Sequence, residues 1–77
     1  MDEAAAQEMG RRIRAGRELL GLTQATLARK SFVTQPAVSQ WERGTTLPDL
    51  SRQFLLADAL RTTRSRLFRE LDLEGAA

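Results

Sequence analysis

A chain of 77 residues with no cysteine and no histidine holds one small domain. It lacks disulfide staples, thiolate nucleophiles, imidazole bases and the usual zinc ligand sets, so no catalytic residues, no metal site and no cofactor are expected. An apolar content of 42% is ordinary for a globular domain. No apolar run approaches the ~18 residues of a membrane span, and Met1-Asp2-Glu3-Ala4 lacks the basic and apolar regions of a signal peptide, so a soluble, cytoplasmic protein is expected. The formal net charge of +2 conceals an asymmetry: residues 1–8 and 70–77 are each −3, while residues 9–69 are +8. Eleven of the twelve bases are arginine, whose forked guanidinium suits phosphate. Nucleic acid is therefore the leading partner class, although a solvated arginine-rich surface would carry the same count. The position of the bases on the fold decides between the two.

The apolar pattern has helical period almost throughout and predicts five short helices. The first runs from about Glu8 to Leu20, with Met9, Ile13, Gly16 and Leu20 on one face, Arg11, Arg12 and Arg14 on the other, and Gly21 as a left-handed stop. Thr23 is the N-cap of the second, and Leu22 before it is placed to meet Leu27 as a hydrophobic staple. That helix ends near Lys30. The same grammar recurs eleven residues later, with Thr34 as N-cap and Val33 placed to meet Val38. Pro36 falls in the first turn, where a missing N–H costs little, and Gly44 ends the segment. A fourth helix from about Asp49 to Leu60 is expected to turn Leu50, Phe54, Ala57 and Leu60 inward. Thr63 then caps a fifth, which contributes Leu67, Phe68 and Leu71.

Two helices joined only by Ser31-Phe32-Val33 form a helix-turn-helix, and the outward side of the second of them decides its use. With Gln35 at zero and ~100° per residue, Ala37, Trp41 and Val38 fall at ~200°, ~240° and ~300°, an apolar arc that belongs in the core. Ser39, Arg43, Pro36 and Gln40 fall at ~40°, ~80°, ~100° and ~140°. A merely solvated helix face is usually rich in lysine and glutamate, whereas this one carries two amides, a hydroxyl and one arginine. Glutamine can give adenine a paired donor and acceptor, serine can bond several base edges, and proline can offer apolar contact to a thymine methyl.

The run Gly21-Leu22-Thr23-Gln24, Leu27-Ala28, Val33-Thr34-Gln35, Val38-Ser39-Gln40-Trp41-Glu42-Arg43-Gly44 and Pro48, followed by Leu56-Ala57-Asp58-Ala59-Leu60, resembles the Cro and phage-repressor (Xre-like) helix-turn-helix family over about residues 9–71. The resemblance implies an all-α fold, a compact five-helix DNA-binding domain of lambda-repressor type, flanked by an acidic tail at 1–8 and by an acidic tail or linker start at 72–77. It implies base contacts from Gln35, Pro36, Ser39 and Gln40, and phosphate contacts from Gln24, Thr34 and Arg43. Gln24 would also brace Gln35. Arg17 and Glu42 match a structural ion pair between the first and third helices, and Trp41 matches a core position.

Three positions depart from the family pattern. Phe32 stands where a glycine usually supplies positive φ, at a cost of ~1–2 kcal/mol. Pro36 replaces a residue that is often a hydrogen-bonding reader, and Arg61 replaces the glycine after the fourth helix. The function expected is sequence-specific binding of double-stranded DNA by a transcriptional regulator, a repressor acting as a homodimer on an inverted-repeat operator, with the fifth helix and Leu73 as candidate dimer surface. The alternative from another class is a protein-interaction module such as an antitoxin. An enzyme would have only carboxylates such as Asp49 and Asp58, which read as cap and surface residues.

Overall fold

The computed structural model describes residues 3–71. Within them five helices follow in order, α1 (Glu3–Leu19), α2 (Gln24–Lys30), α3 (Gln35–Arg43), α4 (Leu50–Ala59) and α5 (Arg64–Leu67), and the described residues contain no strand. No helix among them is long and apolar enough to cross a membrane. The expected all-α, five-helix architecture is the one that forms, and Leu73 lies outside the described residues.

α1 begins at Glu3, five residues before the expected start, so residues 3–8, read as a tail, are helical. Ala4-Ala5-Ala6 are the strongest helix formers available, and Ala5 and Ala6 are buried. The end of α3 covers this first stretch of α1, for a Cβ on Gly44 would lie 2.9 Å from the Gln7 Cα. The core joins Met9 and Ile13 of α1, Leu27 and Ala28 of α2, Val38 and Trp41 of α3, Leu56 and Leu60 around α4, and Phe68 after α5. Val33, ahead of the α3 cap, packs against this cluster.

The caps form where the sequence places them. Thr23, Thr34, Asp49 and Thr63 each accept an N–H from the third residue onward, satisfying donors that the helix itself leaves open. Four helices end in one hydrogen-bond pattern, in which the N–H groups of two consecutive residues return to the last turn and the first of the two has positive φ, the Schellman arrangement. Gly21 and Gly44 fill that position after α1 and α3, at φ 70° and 75°. Phe32 and Arg61 fill it after α2 and α4, at φ 59° and 60°. Arg61 therefore ends α4 as a glycine would. Glycine there removes a Cβ clash of ~1–2 kcal/mol but adds freedom to the unfolded chain. Arg61→Gly is expected to stabilise by about 0.5–1 kcal/mol, a rise of roughly 2–8 °C in Tm by thermal denaturation; a fall would show that the Arg61 side chain holds a contact worth more than the strain.

Two expectations are corrected by packing. α4 turns Gln53, Leu56, Ala57 and Leu60 inward, while Leu50 and Phe54 are 42% and 57% exposed. The buried polar residue hides this face from a hydrophobic pattern. Gln53 is tolerated because its amide donates to the Pro48 carbonyl (3.0 Å) and accepts from Arg64 Nε (2.7 Å), and a buried polar group costs little once bonded. Arg64 in turn stands 5.8 Å from the centre of the Phe54 ring, a cation–π distance. The second correction concerns Arg12, expected on the outer face of α1. It is half-buried, pairing with Glu8 (2.9 Å) and donating to the carbonyls of Leu67 (3.2 Å) and Arg69 (2.8 Å). Bonds from Arg12 and then Arg11 hold the Glu8 carboxyl below the usual carboxylate range.

Candidate nucleic-acid interface

The site is built outward from one ion pair. Arg17 Nε and Nη2 donate to the two carboxylate oxygens of Glu42 at 2.7 and 3.0 Å, while Arg17 Nη1 donates to the Leu22 carbonyl at 2.9 Å. The Glu42 side chain is only 3% exposed and that of Arg17 13%. The bond to Glu42 holds the Arg17 guanidinium protonated more firmly than usual, against the opposing effect of burial. Two parallel bonds fix orientation as well as distance, so the end of α3 is held against both the end of α1 and the start of α2.

Gln24 carries this order to the outward face. Its Nε2 donates to Glu42 Oε1 at 3.0 Å, and its Oε1 accepts from Gln35 Nε2 at 3.5 Å. The brace implied between Gln24 and Gln35 is therefore present, as a long contact. Each amide nitrogen has a second hydrogen. Gln24 keeps one N–H to give, and Gln35 keeps both an N–H and its carbonyl oxygen, the pair that a bidentate contact to an adenine edge needs.

The outer face of α3 follows the helical wheel. Val38 and Trp41 are buried, Ala37 is half-buried, and Gln35, Pro36, Gln40 and Arg43 are exposed. Ser39 is half-buried and accepts from Arg43 Nη1 at 3.0 Å, which leaves its hydroxyl hydrogen free to donate. Arg43 thus lies back along the same face, one turn after Ser39. Thr34 is exposed, and its hydroxyl caps α3 by accepting from the Ala37 N–H at 3.4 Å. All nine residues singled out in the sequence fall into one connected arrangement. Gln35, Pro36, Ser39, Gln40 and Arg43 line the outer side of α3, Thr34 and Gln24 sit at helix starts, and Arg17 and Glu42 lie beneath.

A tenth position, Gly10, escaped that reading. A Cβ there would run into the Trp41 carbonyl oxygen and lie 2.6 Å from that of Glu42, so α1 meets the last turn of α3 backbone to backbone. A glycine inside an otherwise helical stretch was the available signal. The basic surplus is also placed. Among the described residues, Arg11, Arg12, Arg14, Arg17 and Arg52 have carboxylate partners. The other seven bases, Arg29, Lys30, Arg43, Arg61, Arg64, Arg66 and Arg69, have none there, and all lie after α1. The unneutralised charge is therefore concentrated on the part of the chain that carries α2, α3 and the last helices.

Comparison with known proteins identifies the family and the fold. The helix-turn-helix family profile matches residues 13–67. Repressor protein C2 of Salmonella phage P22 is 40% identical over 63 residues, which are 82% of this chain and 29% of that protein. The chain thus spans less than a third of that relative. Among solved structures, the restriction-modification controller protein C.AhdI from Aeromonas hydrophila superposes with a TM-score of 0.80 at 34% identity, covering 83% of this chain and 97% of the other. The P22 c2 repressor in complex with a synthetic operator superposes with a TM-score of 0.75 at 39% identity, covering 79% and 92%. A matching profile over most of the chain and a fold shared at this identity place the protein in the helix-turn-helix family of the Cro and phage-repressor (Xre-like) type.

Proposed function

We propose that the protein is a sequence-specific regulator of transcription, a repressor by occupancy and not by chemistry, in which α3 enters the major groove of double-stranded DNA. The observation that carries this reading is the braced polar strip of α3. Gln35, Pro36, Ser39 and Gln40 project from a helix whose opposite side is locked into the core, and Gln35 is held by a chain of bonds running back through Gln24 to a buried ion pair. A preorganised reader loses little side-chain freedom on binding. Gln35 and Gln40 take base edges, Ser39 donates to an acceptor, and Pro36 meets a thymine methyl. Gln24, Thr34 and Arg43 hold the phosphates that set register. The P22 c2 repressor, which shares this fold at 39% identity, is known in complex with a synthetic operator, which supports DNA as the partner of this domain.

One such module covers few base pairs, so the protein acts as a homodimer on an inverted repeat with half-sites ~10–10.5 bp apart, or a multiple of that spacing. α5 is a single turn of four residues. Leu50, Phe54 and Leu55 of α4, exposed by 42%, 57% and 36%, offer more apolar surface to a second copy than the expected fifth helix does.

Selection of duplexes from a random pool at ~0.15 M salt, where weak phosphate binding is largely screened, is expected to enrich an inverted repeat. An unenriched pool would refute sequence reading. On the enriched duplex, Gln35→Ala is expected to relax discrimination at one base pair by ~1–3 kcal/mol, whereas Arg43→Ala weakens all sequences alike and flattens the salt slope by about one unit. Equal losses from both variants on enriched and random DNA would refute this division of roles.

A further inference from the structure

Phe32 is the most anomalous residue of the surface. It holds a positive φ of 59°, which a bulky side chain adopts only against a steric penalty, and it is 83% exposed. Its N–H caps α2 by donating to the Arg29 carbonyl at 3.2 Å, a task that any residue with an N–H performs. The side chain thus adds strain through its Cβ and exposes an aromatic ring that packs on almost nothing within the chain. After α1 and α3 the same structural position is filled by Gly21 and Gly44, which carry neither cost. Strain of this kind clusters at functional sites, and unlike Arg61, which holds the same conformation after α4, Phe32 exposes an aromatic ring.

The location indicates that use. Phe32 is two residues before the α3 cap Thr34 and three before Gln35, so its Cα lies within about 10 Å of that of Gln35. The major groove is ~12 Å wide. With Gln35 at a base edge, a side chain that close and turned outward comes up against the sugar-phosphate wall of the groove. A phenyl ring has no hydrogen bond to give a phosphate, but it can cover the apolar faces of a deoxyribose and exclude water there.

We propose that Phe32 is a DNA-contacting residue that packs against deoxyribose on the groove wall beside the reading helix, adding affinity that carries neither charge nor sequence. This rests on the reading of α3 as the groove helix. It separates two properties that a purely structural role would join. Removing the whole side chain relieves the Cβ strain in the free protein, whereas removing the ring loses contact in the complex.

The test uses the full chain and the duplex enriched above, titrated by fluorescence anisotropy at several salt concentrations, with thermal denaturation of the free protein alongside. Phe32→Gly is expected to raise Tm yet weaken binding by roughly 5- to 10-fold, with an unchanged salt slope because no counterion is released by an apolar contact. Phe32→Asn, which also tolerates positive φ, should show the same loss and guards against an effect of glycine flexibility. Enriched and random duplexes should lose affinity by the same factor. Binding within twofold of the original for both variants would overturn the inference, as would a loss accompanied by a flatter salt slope, which would mean that phosphate contacts had shifted. Failure of the unaltered protein to prefer the enriched duplex would overturn the groove reading itself, a result distinct from either.

Discussion

Glu42→Ala is expected to destabilise the domain by about 3 kcal/mol, the lower end of the range for breaking a buried ion pair. The Glu42 carboxylate accepts three N–H donors, two from Arg17 and one from Gln24, and is almost wholly shielded from water. Its removal strands the Arg17 guanidinium in a poorly solvated place with only the Leu22 carbonyl as partner, and leaves the Gln24 amide without its anchor. The slight exposure of Arg17 keeps the cost at the lower end. Against a typical total of 5–15 kcal/mol, this is a large share, and for a domain of this size it corresponds to a fall of roughly 12–24 °C in Tm. The double variant Arg17→Met/Glu42→Leu should recover most of that stability, since replacing both charges by apolar groups of similar volume removes the desolvation cost. It should not recover operator affinity, because Gln24 and hence Gln35 remain unbraced. Denaturant unfolding gives the first quantity and DNA titration the second. A loss below about 1 kcal/mol for Glu42→Ala would show a pair worth no more than an exposed one, and full affinity in the double variant would remove the bracing role from Gln24.

Gly10→Ala is expected to cost about 2–3 kcal/mol, even though alanine is worth up to ~1 kcal/mol more than glycine within a helix. The atoms in the way are the backbone of Trp41 and Glu42, and they cannot rotate aside as a side chain can. α1 must draw back from the end of α3, and Arg17, seven residues along the same helix, moves with it relative to Glu42. Gly16 is the control on the same helix. A Cβ there would meet Leu60 Cδ1 at 3.4 Å, an ordinary van der Waals contact with the end of a side chain, so Gly16→Ala should be neutral or stabilising by up to about 1 kcal/mol. Denaturant unfolding of the two variants measures the contrast. Equal effects at the two positions would show that α1 and α3 have slack to separate.

The placement of the reading face depended on interactions that are local along the chain. Thr23 and Thr34 cap their helices because a side-chain oxygen reaches an N–H three residues on, and Gly44 ends α3 because it adopts positive φ freely. The polar strip of α3 could be read because Val38 and Trp41 leave one choice of inner face. The partnership of Arg17 with Glu42, 25 residues apart, has no local signal and was legible only through the ordered positions that the chain shares with the Cro and phage-repressor family.

Other features became visible only once the helices were packed. In α4 the apolar residues Leu50, Leu55, Leu56, Phe54 and Ala57 permit more than one inner face, and the choice fell to the one containing Gln53, because Pro48 and Arg64 supply partners from outside the helix. Arg12 reads as a solvated base until the carbonyls of Leu67, at the end of α5, and of Arg69 beyond it come within its reach. Residues 3–8 became part of α1 because the end of α3 covers that stretch. By itself the sequence determined the number and order of the helices, their caps, the helix-turn-helix and the side of α3 that stays outside, since each depends on residues within about one turn or on an unambiguous apolar arc. Only the tertiary structure decided the inner face of α4, the backbone contact at Gly10 and the exposure of the Phe32 ring, since each depends on what another segment brings close, or fails to bring close, to that residue.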